Sequence, residues 1–209
     1  MENEFTSLSQ EVILKSLDWA YDKAVNGISG LDSAQDMAND YLKKEGLLVD
    51  KVDSLIRWQN TKAGTSGFIT GVGGLLTLPL TLPANITSVL YVQVRMVAAI
   101  AIMGGYDVKD DRVRTLVYSC IAATSTAEVA KDFGVTLGSK LAIQGIKKIS
   151  GEVLKKINQA VGFKLLTKFG QKGVVNLGKT VPFIGGIISA TFDVVTTNTI
   201  GNIAKDTFL

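Results

Sequence analysis

The residues Gly173 to Thr180, GVVNLGKT, match the phosphate-binding pattern G-x-x-x-x-G-K-[ST], and so raise the chemistry of nucleotide hydrolysis. That chemistry needs a buried strand before the glycine loop and a helix after it, so that backbone N–H groups cradle the phosphates. Here the preceding FKLLTKFGQK carries three lysines and reads as helix then turn. Only 29 residues follow Thr180, too few for the parallel strands and the Mg²⁺-holding acid. No ATP or GTP site is expected. Other reactive groups are sparse. The chain has no histidine, which removes Ser-His-Asp and Cys-His catalysis and histidine-based metal sites. Cys120 is the single cysteine, and it lies in the apolar run TLVYSCIAATSTA, so it reads as a small buried hydrophobe. Asp107, Asp110 and Asp111 cluster in YDVKDDRVR but lack the spacing and terminal glutamate of a calcium loop. The reading is therefore a non-enzyme with no catalytic residue, metal or cofactor.

The charge pattern is more informative. Residues 1–60 hold 11 acidic and 6 basic residues, net −5, whereas residues 140–179 hold nine lysines and one acid, Glu152, net +8. Between them every residue from Ala63 to Val94 is uncharged. The rear pairs Lys147 with Lys148 and Lys155 with Lys156, set among Ile146, Ile149, Val153, Ile157 and Val161 at helical spacing, which predicts a cationic amphipathic helix. Such a helix either packs its apolar stripe on a core or attaches to an anionic membrane, each lysine contributing about 1 kcal/mol near the surface. Nucleic acid is the weaker partner, because residues 115–209 contain no arginine and the lysine-rich segment has only Phe163 and Phe169 as aromatics.

These residues must be positioned by helices. With 209 residues, 46% apolar, 20% charged and only 3 Pro, the chain predicts one all-α domain, a multi-helix bundle with a Gly/Pro-broken apolar central helical hairpin. Residues 1–62 form an acidic helical front, 63–134 the apolar core segments, and 135–209 the cationic helix and an apolar C-terminal helix. In the front, Ser7 with Gln10 opens a helix ending at Gly27, Asp32 with Gln35 caps a second that ends near Gly46, and a third runs from about Asp50 to Lys62. In the middle, Gly67, Gly71, Gly73, Gly74, Pro79 and Pro83 precede a clear helix from Ala84 to Met103, with Gly71, Gly73, Gly74, Pro79 and Pro83 as candidate hinges. Asp110 or Asp111 starts a further long helix that stops before Gly134.

Arg95 stands near the centre of the apolar helix, where an unpaired charge is costly. Glu128 and Asp193, each in uncharged surroundings, are its candidate partners in a buried ion pair; alternatively Arg95 reaches solvent along its apolar stem.

Several stretches together resemble the bacterial EcsC protein family: SGFITGVGGLLTLPLTLPANI, YVQVRMVAAIAIMGGYD with DDRVRTLVY, VGFKLLTKFGQKGVVNLGK, and VPFIGGIISATFD followed by IGNIAKDTF. They occur in that order, and the resemblance runs from about Ala24 to Phe208. The resemblance implies that Gly178 and Lys179 are structural rather than nucleotide-binding. It brings no catalytic motif and no residue-level site, and it is compatible with a cytoplasmic protein that works at membranes.

The expected function is attachment to anionic lipid on the cytoplasmic face of the inner membrane through Lys147, Lys148, Lys155 and Lys156, with the apolar segments inserting shallowly or accommodating lipid. The start MENEFTSLSQEVILK carries acidic residues where a secretory signal needs a basic region followed by an apolar one, so no export is expected. Two alternatives stand beside this: a membrane-inserted hairpin that oligomerises into a pore, and a soluble interaction module whose lysine face meets an acidic partner, a membrane protein or a second copy.

Overall fold

A computed structural model gives the protein's architecture. It describes residues 10–28, 30–63, 84–122, 149–169 and 185–209, the side chains of 62–63, 84–88, 167–169 and 185–196 excepted. The protein is all-α. Numbered in chain order, the described helices are α1 (Gln10–Asn26), α2 (Ala34–Leu42), α3 (Leu48–Ala63), α4 (Ala84–Met103), α5 (Asp111–Ile121), α6 (Gly151–Phe169) and α7 (Gly185–Phe208). The hinge glycines and prolines between 64 and 83 lie outside the described residues, as does Gly173 to Thr180.

The local signals explain most helix ends. Gly27 closes α1 with φ of 82°, a left-handed conformation that costs glycine nothing, and its N–H donates to the Lys23 carbonyl. The cap of α2 is one residue later than the sequence suggested. Ser33, not Asp32, is the N-cap, and its hydroxyl and backbone close a capping box with Asp36 rather than Gln35. That helix stops at Leu42, four residues before Gly46, with Lys43 as its C-cap. Helix α3 starts at Leu48, slightly earlier than expected, and α4 spans the expected Ala84–Met103. Asp110 is the N-cap of α5, its carboxylate accepting from the Arg112 N–H at 2.8 Å. This helix ends at Ile121 with Ala122 as its C-cap, well short of Gly134.

Helix α4 is the centre of the bundle and packs against α1, α2, α3, α5 and α7. From Leu90 to Ala101 every residue is buried, on all faces. A helix that is apolar all round must be surrounded, and here protein does the surrounding. The uncharged stretch that suggested lipid is, in this part, core. No helix among the described residues is long and apolar enough to cross a membrane.

Three cross-ties fix the bundle. Tyr118 of α5 donates to Asp18 of α1 at 2.7 Å, Arg114 reaches both groups, and its guanidinium lies 5.2 Å from the centre of the Tyr21 ring. Tyr21 in turn donates to the Val108 carbonyl at 2.6 Å and meets Tyr118 edge-on. Lys205 of α7 pairs with Asp53 of α3 at 2.6 Å in a half-buried site. At the end of α4, Gly104 lies directly against the carbonyl of Phe208, so close that a side-chain carbon there would overlap the Phe208 oxygen.

Candidate functional site

Helix α6 carries the described part of the lysine-rich segment, and it is seated at the side of the bundle. Its start is set by Ser150, whose hydroxyl accepts from the Val153 N–H, and by Arg112, which donates to the Ile149 carbonyl at 3.2 Å. Ile149 and Ser150 are thus outside the helix. The helix does not extend back through Ile149 and Ser150; it begins at Gly151. Lys147 and Lys148 lie outside the described residues.

The inner side of α6 buries Ile157, Val161 and Leu165 where the helix packs against α1 and α5. Its outer side exposes Lys155, Lys156, Gln159, Ala160, Phe163 and Lys164. Lys156 holds Glu152 at 2.9 Å, one turn back, and that ammonium draws the exposed Glu152 carboxyl below the ordinary glutamate range. Lys155 is in no ion pair among the described residues. Phe163, two turns beyond Lys156 and so on the same face, is 63% exposed. The sequence reading gave no role to this aromatic ring, which is exposed about 10 Å along the helix from Lys156. The signal that could have found it is its seven-residue spacing from Lys156.

Arg95 is only 4% exposed, so it does not reach solvent. It donates to the backbone carbonyl of Asp32 at 3.0 Å and lies 5.5 Å from the Tyr91 ring centre. Burial raises the Tyr91 pKa, with Arg95 opposing the shift. The acids suggested for Arg95 have side chains outside the described set, Glu128 entirely and Asp193 within α7. Gln93, about 200° around the helix from Arg95, donates to Thr197, one turn beyond Asp193. The described face of α7 therefore meets Gln93, while Arg95 points toward α2.

The groups that raised other chemistry are engaged structurally. Asp107 accepts from the Lys109 N–H, Asp110 caps α5, and Asp111 pairs with Arg114. Among the described residues no group of three acids or thiols is placed to hold a metal ion. Cys120 is fully buried against Thr207, and burial pushes its thiol up to about 12.

Comparison with known families identifies the whole arrangement: the EcsC protein family matches residues 3–209. The chain belongs to the EcsC protein family. The stretches quoted above lie within that match. Comparisons with curated proteins and with solved structures find no match to this EcsC protein.

Proposed function

We propose that this EcsC protein is a non-enzymatic, peripheral membrane protein that binds anionic lipid at the cytoplasmic face of the inner membrane. The observation that carries the reading is the outer face of α6, which exposes Lys155 and Lys156 and, two turns on, Phe163. Ammonium groups attract lipid phosphates, and an aromatic ring favours the interfacial layer. The inner face of α6 is committed to α1 and α5, so the helix engages lipid through its outer face alone and the contact is shallow. Lys147 and Lys148 add to the same basic segment of the chain.

The test is flotation of purified, detergent-free protein with phosphatidylcholine vesicles, with and without phosphatidylglycerol, at low and high salt and after an alkaline wash. Salt-sensitive binding to the anionic vesicles alone is expected. Reversing Lys155 and Lys156 to Glu removes about 2 kcal/mol of attraction or more, a loss of roughly thirtyfold or greater in affinity. Neutralising all four lysines abolishes binding while the helical circular dichroism stays unchanged. Unaltered binding by that quadruple variant refutes the proposal, and wash-resistant binding with dye release favours the pore instead.

A further inference from the structure

The connection between α2 and α3 exposes a run of aliphatic residues that the lysine reading does not use. Leu47 is 74% exposed, Leu48 37% and Val49 47%, with Leu42 beside them at 38%. Three consecutive apolar side chains in water are unfavourable unless something covers them. Behind this tip, an open groove of about 530 Å³ runs between the two helices, lined by Tyr41 and Lys44 on one side and Arg57 and Trp58 on the other. Trp58 is half exposed.

The charges around the tip are not equivalent. Lys43 is held by Asp40 at 3.3 Å, and Lys51 donates to the Leu42 carbonyl. Lys44 lies 3.7 Å over the Tyr41 ring. Neither Lys44 nor Arg57 is in an ion pair among the described residues, although both line the groove. Asp40, the one acid in the lining, is occupied by Lys43, while Glu45 lies in the connection and Asp50 in the first turn of α3. Two available cations beside an indole, next to a projecting aliphatic tip, match the layered chemistry of a leaflet: acyl chains, then the interface, then phosphate.

We infer that the α2–α3 end is a second lipid contact, in which Leu47, Leu48 and Val49 enter an anionic leaflet and Lys44 and Arg57 hold one lipid phosphate beside Trp58. The inference rests on the membrane reading above but on different residues. It makes attachment two-point, through α6 and through this tip, the apolar contact adding to binding that the α6 lysines initiate and being too small to hold the protein on a vesicle without them.

Trp58 makes the contact directly observable. The chain has two tryptophans, so Trp19→Phe leaves Trp58 as the sole reporter. With phosphatidylcholine vesicles containing phosphatidylglycerol, Trp58 emission should shift to the blue and be quenched by lipids brominated near the headgroup. Leu47→Asp with Leu48→Asp should abolish the shift and lower vesicle affinity by about tenfold or more. Lys44→Gln with Arg57→Gln should keep the apolar contact and weaken, without removing, the preference for phosphatidylglycerol, since the α6 lysines remain. Lys44, Leu47, Leu48 and Arg57 are exposed, whereas Trp19 packs partly against the core, and circular dichroism verifies each fold. Flotation with unchanged Trp58 emission overturns this inference and leaves α6 as the lipid site. Loss of flotation with Leu47→Asp and Leu48→Asp, but not with Lys155→Glu and Lys156→Glu, supports the tip and refutes the α6 reading. No flotation of the unaltered protein refutes both.

Discussion

Gly104→Ala tests how the central helix is joined to the C-terminus. A methyl at this position would overlap the carbonyl oxygen of Phe208, a backbone atom that cannot rotate away. Two responses are available. The bundle can absorb the overlap by shifting α4 against α7, with overpacking strain of about 1–3 kcal/mol. Otherwise the end of α7 detaches, and Phe208, 3% exposed and edge-on to Tyr106 at 5.2 Å, loses its burial at a cost of about 1.5–3 kcal/mol. The cheaper route sets the outcome, so a loss of about 2 kcal/mol is expected, or roughly 4–8 °C in melting temperature. A shortened chain lacking Phe208 and Leu209 supplies the control. Urea unfolding of the four proteins, with and without the substitution in each chain length, then forms a cycle: in the shortened chain the substitution should cost less than about 0.5 kcal/mol, because its opposing atom is gone. Equal cost in both backgrounds would show that the substitution acts elsewhere, and the contact would not be what requires glycine.

Three further outcomes follow from the same structure. With its thiol pushed up to about 12, Cys120 should resist alkylation at about pH 8 by around three orders of magnitude relative to the unfolded chain, measured by mass spectrometry with and without denaturant. Burial also raises the pKa values of Tyr21 and Tyr118, aided in Tyr118 by its bond to Asp18. The unfolded chain therefore releases these protons first, so stability is intact below about pH 10 and falls above it by about 1.4 kcal/mol per tyrosine per pH unit. Tyrosinate absorbance should consequently rise together with loss of helicity, and noncooperative titration of all tyrosines in a folded chain would contradict this. Lys205→Met or Asp53→Asn should cost about 1 kcal/mol, with coupling between them in a double-mutant cycle, since their pair is only partly shielded from water.

Helices were legible where a local rule had no competitor. Gly27 ended α1 as its position required, and the apolar run from Ala84 to Met103, broken only by a few polar residues and Arg95, could only be a helix buried by something. What surrounds α4 was less legible, because lipid and protein demand the same apolar side chains. Adjacent cap candidates were also ambiguous: Asp32 and Ser33 are both good caps, and tertiary contact assigns the cap to Ser33 while the Asp32 carbonyl serves Arg95. That carbonyl was invisible in a search for an acidic partner, since every residue has one. The α6 lysines were conspicuous as charge, whereas Phe163 and Leu47 became candidates only when their exposure was known. Leucine and phenylalanine in a sequence read as core by default.

The position of α4 also sets the terms on which this protein could ever breach a membrane. A helix gripped by five others cannot swing outward on a loop, because removing it exposes the inner faces of α1, α2, α3, α5 and α7 together. Inserting α4 would thus amount to turning the protein inside out, and the bilayer would have to repay most of the folding free energy, about 5–15 kcal/mol for a typical domain. Such a transition would be slow, cooperative and triggered by conditions that already weaken the fold, whereas the docking proposed through α6 and the α2–α3 tip would leave the bundle intact and reverse freely.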